Sequence, residues 1–221
     1  MKAIIFGATG MVGQGVLREC LLDPEVERVL VVGRSPVEQK APKLTEIIHN
    51  NFLDFTSIED RFAGFDACFF CLGVSSAGMP EKEYKRVTYD FTMAAARSLA
   101  RQLNMTFIYV SGLGTDSSEQ GRTMWARVKG KTENDLLKMP FKAAYMFRPA
   151  YIQPMHGIKS KTKLYRITYA VMAPLFPLWK LFFPSQVTTT ENVGKAMIKA
   201  ARDGAAKPVL DNTDINRLAI S

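Results

Sequence analysis

Apolar residues fall along this chain in short unbroken runs, separated by longer stretches with helical spacing. The first run, Ala3 to Phe6, leads into glycines at 7, 10 and 13. Val12, Val16, Leu17 and Leu21 then recur as one face of a helix would require. Further strand-like runs occupy 28–33, 46–49, 66–73, 105–111 and 143–147, and helical patterns over 81–103 and 122–138 are the clearest of those between them. Near the C-terminus, Thr190 is placed to cap a helix through Arg202, and a short strand follows at 208–210. Alternation of this kind predicts right-handed βαβ crossovers and a parallel sheet with helices on both faces. Runs such as Cys68-Phe-Phe-Cys-Leu72 carry no polar interruption, which fits strands buried on both sides. No repeat, low-complexity tract or linker interrupts the pattern. Residues 1–221 therefore read as a single α/β domain, doubly wound, with 150–190 as a lid or substrate-side segment.

Composition narrows the setting. With 221 residues, 47% of them hydrophobic, the chain can fill a core without disulfides or metal. The apolar run before Gly7 is too short for a signal peptide, and three cysteines (Cys20, Cys68, Cys71) make no disulfide framework. Cys68 and Cys71 spell C-x-x-C, but residues three apart on a strand point to opposite faces, so reduced, buried thiols and a cytoplasmic location are expected. A formal charge of +8 calls for an anionic partner, or for none. Basic residues are scattered except at Lys159, Lys161, Lys163 and Arg166, read as a solvated face; no nucleic-acid-binding signature accompanies them. His49 and His156 have no metal-ligand spacing, so no metal is expected. The apolar stretch 164–184 has its longest uncharged run at 167–179, short of the ~20 residues a bilayer span needs. Core packing or a wall over a substrate site is expected there, with membrane-surface contact as the alternative.

Chemistry enters at the glycines. A strand, a tight glycine turn and a helix make the usual cradle for a dinucleotide pyrophosphate, because glycine permits close backbone approach and the free N–H groups of the helix start face the phosphates. Gly7, Gly10 and Gly13 are assigned to that cradle with the N–H groups of Thr9, Met11 and Val12. The second strand ends Val31-Val-Gly-Arg-Ser35. Dinucleotide folds that select NAD put a carboxylate at this point, about 20 residues past the glycines, for the ribose 2′-hydroxyl. Arg34 stands there instead, beside Ser35, and a guanidinium can pair bidentately with a 2′-phosphate. NADP(H) is therefore expected over NAD(H).

Phe6-Gly-Ala-Thr-Gly-Met-Val-Gly13 resembles the G-x-x-G-x-x-G loop of extended and atypical short-chain dehydrogenase/reductases. The resemblance continues through Asp54-Phe55, Cys71-Leu-Gly73, Val110-Ser-Gly112 and Arg148-Pro149, to about Asn212. It is strongest to the small atypical, NmrA-like group that includes the Tat-interacting tumour suppressor. The resemblance implies a Rossmann-type fold, with Asp54 and Phe55 near the adenine and Cys71, Leu72 and Gly73 along the adenosine ribose. It also places Lys129 on the nicotinamide ribose, and Arg148 and Pro149 at the nicotinamide pocket.

Catalysis in that family rests on Ser, Tyr and Lys, with Tyr-x-x-x-Lys on one helix face. Ser111 and Lys129 match, but the segment reads Trp125-Ala-Arg-Val-Lys129, with tryptophan in the tyrosine position. An indole N–H donates a hydrogen bond but has no accessible acid ionisation, so it cannot shuttle a proton. Tyr84, Tyr89, Tyr109, Tyr151, His156 and a water are the remaining donors, with Tyr151 and His156 just past Arg148-Pro149. An imidazole changes charge near neutrality, as a general acid should. Three function classes follow. One is an oxidoreductase or epimerase on a small or apolar substrate; the second is a non-catalytic NADP-sensing regulator that binds a protein partner; the third is a membrane-surface or quinone-related accessory protein that uses the apolar stretch 164–184.

Overall fold

The computed structural model describes residues 1–102, 104–159 and 182–221. Nine strands are formed among the described residues: β1 (Lys2–Phe6), β2 (Arg28–Gly33), β3 (Leu44–Ile48), β4 (Ala67–Phe70), β5 (Thr106–Val110), β6 (Ala143–Arg148), β7 (Tyr151–Gln153), β8 (Val187–Thr189) and β9 (Val209–Asp211). Among the described residues six α-helices accompany them: α1 (Met11–Leu22), α2 (Glu81–Lys85), α3 (Phe91–Leu99), α4 (Met124–Leu136), α5 (Thr190–Asp203) and α6 (Asn212–Ile220). Seven strands pair in the order β3-β2-β1-β4-β5-β6-β9, with every pairing parallel.

Side-chain alternation divides the core between the two faces of this sheet. Ala3 and Ile5 of β1, with Val29, Val31, Ala67 and Phe69, pack under Val16, Leu17 and Cys20 of α1 and Val193, Ala196 and Met197 of α5. Ile4 and Phe6, with Leu30, Val32, Cys68 and Phe70, face α3, α4 and an aromatic group built from Phe52, Phe55 and Phe62. The Phe6 ring stands edge-on to Phe55 at 5.6 Å and stacked on Phe70 at 5.3 Å. Burial of side chains of this size is worth ~1.5–3 kcal/mol each, which ties loop 49–62 firmly beneath β1. The doubly wound, single-domain α/β class expected from the hydrophobic pattern is the class observed. Cys68 lies in one cluster while Cys71 flanks the other, and all three cysteines are free.

Helices α1 and α5 cross closely because both carry glycine at the contact. A Cβ on Gly15 would stand 2.7 Å from Thr190, and one on Gly194 would stand 2.7 Å from Glu19 Cγ.

Several local expectations are corrected. The cap of α5 is Thr189, whose hydroxyl accepts from Asn192 N at 2.9 Å, while Thr190 Oγ1 accepts from Met155 N at 3.0 Å. The pattern over 81–103 ends as regular helix at Leu99 and contains a π turn, Arg86–Asp90. β7 and β8 form a separate parallel pair, and α6 begins in a capping box made by Asp211 and Asp214. Lys161, Lys163, Arg166 and all but the last few residues of the 164–184 stretch lie outside the described residues. Among the described residues no helix is long and apolar enough to cross a membrane.

Candidate functional site at the carboxyl edge of the sheet

Strand order reverses between β1 and β4, since the chain builds outward from β1 through β2 and β3, then returns to β4 and continues the other way. Ligands of open α/β sheets bind in the crevice at such a point, beyond the carboxyl ends of the strands. Two loops meet there. Gly7 follows β1 at φ +78°, and a Cβ on it would lie 2.6 Å from the Leu72 nitrogen just after β4. Only glycine satisfies both the conformation and the approach.

The three glycines do different work. A Cβ on Gly13 would sit 2.1 Å from the Gly7 carbonyl oxygen, so Gly13 lets α1 close down on the loop. Gly10 is the N-cap of α1 in extended conformation (φ −81°), and its Cβ position meets only the Gly7 oxygen, at 3.3 Å. Its packing therefore leaves room that a ligand's phosphates would use. No side chain caps α1 and its first turn holds no acidic residue, so the N–H groups of Met11 and Val12 are left without a helical acceptor or a local carboxylate. An N-terminus of this kind suits an anion. Thr9 contributes its carbonyl, which accepts from Gln14 Nε2 at 3.1 Å.

Arg34 and Ser35 are exposed just past β2, and Arg34 makes no hydrogen bond or ion pair among the described residues. Asp54 is also exposed, and its Oδ1 accepts from the Thr56 hydroxyl at 2.6 Å and the Thr56 nitrogen at 2.9 Å. Those bonds hold its carboxyl below the usual carboxylate range. Phe55 is turned into the core at 1% exposure, which leaves only its backbone to any ligand. Cys71 and Leu72 are half-buried and Gly73 is exposed, with nothing within 4 Å of a Cβ built on it. Burial pushes the Cys71 thiol up to about 12.

Ser111 follows β5 and is buried, its hydroxyl donating to the Phe147 carbonyl at 3.1 Å. Lys129 Nζ donates to the Ser111 carbonyl. Burial of its ammonium, opposed by Glu133 one turn along α4, brings Lys129 down to about 8. Trp125, one turn earlier on α4, lies against the loop that follows β5, since a Cβ on Gly114 would come within 3.3 Å of its Cη2. Arg148 donates from Nε to both oxygens of Glu133, at 3.0 and 3.1 Å, and from its terminal nitrogen to Glu133 and Ser117 Oγ. Glu133 is only 1% exposed, so this pair braces β6 against α4. The Pro149 carbonyl accepts from Leu113 N at 2.9 Å and fixes the same corner.

The other candidate proton donors make contacts of their own. Tyr84 and Tyr109 are core residues, burial drives the Tyr109 phenol far up, and Tyr89 donates to Asp135 Oδ2 at 2.7 Å. Tyr151 on β7 donates to Gln153 Oε1 at 2.8 Å. His156, at φ +55°, pairs through Nε2 with Glu191 at 2.7 Å, at the start of α5. Glu191 is held down at about 2 by Lys195 and then by His156. Sequence reasoning missed Glu133 altogether. Its signal was the Lys129-x-x-x-Glu133 spacing, which puts a carboxylate on the same helix face as the lysine.

A family model described as NAD(P)H-binding matches residues 7–143, from the first glycine through β5 and α4 to the start of β6. The chain belongs to this NAD(P)H-binding family. Its fold is of the Rossmann type, and its relatives by sequence are distant. It is 27% identical over 154 residues to the mitochondrial protein FMP52 of Eremothecium gossypii, a match over 69% of this chain and 66% of that one. It is 24% identical to HTATIP2 of Rattus norvegicus, over 68% of this chain and 62% of the relative. The matches thus span just under two thirds of those proteins' own lengths. A short-chain dehydrogenase/reductase-family oxidoreductase from Burkholderia thailandensis shares the fold at a TM-score of 0.64 and 14% identity, over 91% of this chain and 85% of its own.

Proposed function

We propose that this NAD(P)H-binding protein selects NADP(H) and uses it to reduce or oxidise a small, apolar carbonyl or alcohol substrate. The observation that carries the reading is Arg34: an exposed guanidinium with no partner among the described residues, at the strand end where an NAD-selective fold would place a carboxylate. Met11 and Val12 would hold the pyrophosphate, Arg34 and Ser35 the 2′-phosphate, and Asp54 and residues 71–73 the adenosine. Lys129 would hold the nicotinamide ribose. When bound, the dinucleotide supplies or accepts hydride. The protein's own residues bind it, keep water from the crevice and manage the proton.

A charge-assisted contact from Arg34 is worth about 1.5–3 kcal/mol, or about 10- to 100-fold in affinity. Fluorescence titration of NADPH and NADH against wild type and Arg34→Ala tests this. NADPH should bind more tightly to wild type, and the variant should lose that margin. Equal affinities in the wild type refute the preference.

A second reading is favoured by the Ser111 hydroxyl, which is spent on the Phe147 carbonyl, and by tryptophan at position 125. On that reading the protein binds NADP(H) without turnover and reports its redox state to a protein partner. A cytoplasmic location belongs to either reading, whereas the fungal relatives are mitochondrial by name.

A further inference from the structure

We propose that Lys129 is itself the proton donor of this site, doing the acid chemistry for which its helix carries no tyrosine. The inference rests on the reductase reading above and concerns the α4 lysine that bonds to the residue just past β5. Lys129 Nζ is anchored on the Ser111 carbonyl and lies 3.9 Å from where a Cβ on Gly112 would be. Gly112, at φ +127°, keeps that side of the amine clear, because any other residue would be strained there. An ammonium has three protons. One is used on Ser111, so others remain for a ligand oxygen in the crevice.

The surroundings decide whether such an ammonium can release a proton. Glu133, on the same helix, favours the charged form, but Arg148 of β6 holds both of its oxygens. Tyr109 of β5 and Tyr84 of α2 are buried phenols near the same network and carry no charge to offset the amine's burial. Desolvation therefore dominates, and Lys129 comes down to about 8, where an acid is still mostly protonated at neutral pH yet able to give the proton up. Trp125 can do neither.

In the reductive direction Lys129 Nζ would give its proton to the oxygen of a carbonyl, and a bound reduced dinucleotide would supply the hydride for its carbon. The C=O π bond would break as one C–H and one O–H bond form, reducing the carbonyl and oxidising the dinucleotide. The neutral amine regains a proton from water.

The test uses full-length wild type and Lys129→Arg, which keeps the cation but cannot deprotonate in the working range. Three quantities are read on each: NADPH affinity by fluorescence, the pH profile of kcat on a panel of short aldehydes and ketones, and lysine Cε resonances in isotopically labelled protein. One resonance, absent from Lys129→Arg, should titrate near pH 8, and wild-type kcat should fall about tenfold per pH unit above that point. Lys129→Arg should lose kcat by ~10²–10⁴-fold, well beyond any change in its NADPH affinity. A Lys129 resonance titrating in the ordinary lysine range, a kcat flat to pH 10, or full turnover by Lys129→Arg overturns the proposal. NADPH binding with no turnover on any carbonyl also overturns it and leaves cofactor binding standing. Absence of NADPH binding to wild type refutes the parent reading instead.

Discussion

Gly10 separates the fold's demands from the ligand's, so Gly10→Val is the most informative single change in the loop. Its backbone is extended, a conformation valine adopts readily, and the one atom near a new Cβ is the Gly7 oxygen at 3.3 Å. What the protein loses is a preferred N-cap residue, at about 1 kcal/mol. For a domain of this size that lowers Tm by about 2–4 °C. The same substituent fills the space in front of Met11 and Val12, and NADPH affinity should fall by at least about 100-fold, or ~2.7 kcal/mol. Gly13→Ala is the control, since its Cβ would stand 2.1 Å from a backbone oxygen. Overpacking against backbone lies at the upper end of the usual ~1–3 kcal/mol, so Gly13→Ala should cost more stability than Gly10→Val despite its smaller side chain. Thermal denaturation followed by NADPH titration measures both. A folded Gly10→Val protein that binds NADPH as wild type does would show that the dinucleotide sits elsewhere.

Three further outcomes follow from the geometry. Glu133→Gln leaves Arg148 half-buried with a neutral partner and should destabilise by about 3 kcal/mol in urea unfolding; a loss under about 1 kcal/mol would show that the pair is not structural. Glu191, held at about 2 against an ordinary 4.5, contributes stability that is present above pH 4.5 and lost as pH falls toward 2. Glu191→Gln should therefore cost about 1 kcal/mol at pH 7 and flatten the acid limb of the stability profile, and an unchanged limb would refute the assignment. Trp125→Tyr restores Tyr-x-x-x-Lys on one face of α4, but with Lys129 already supplying the proton it should change NADPH-dependent ketone reduction by less than about tenfold, and a rise of ~10²–10⁴-fold would show that the wild type has no positioned acid.

The parts of this molecule legible in its sequence are those set by local pattern. Continuous apolar runs gave the strands of the main sheet, and the glycine spacing after β1 located the crevice before any coordinates. What escaped was non-local or short. β7 and β8 have three residues each and pair across the 36 positions from Tyr151 to Val187, too little pattern to register as strands. The capping box of α6 uses aspartate at both ends, outside the familiar serine or threonine with glutamate. Phe55 illustrates a third limit: a motif position fixes where a residue lies along the chain, but packing against Phe6 and Phe62 turned its ring inward. Arg148 was read as a cofactor contact from its motif alone. Only the fold reveals the buried Glu133 that claims it.

The central claim is that this Rossmann crevice holds NADP(H) by its 2′-phosphate at Arg34. An experimental structure of the wild-type protein with NADPH tests it directly. The pyrophosphate should lie on the backbone N–H groups of Met11 and Val12, with the Arg34 guanidinium within hydrogen-bonding distance of the 2′-phosphate. A dinucleotide bound with its 2′-phosphate turned away from Arg34, or bound outside the β1–β4 crevice, would contradict it.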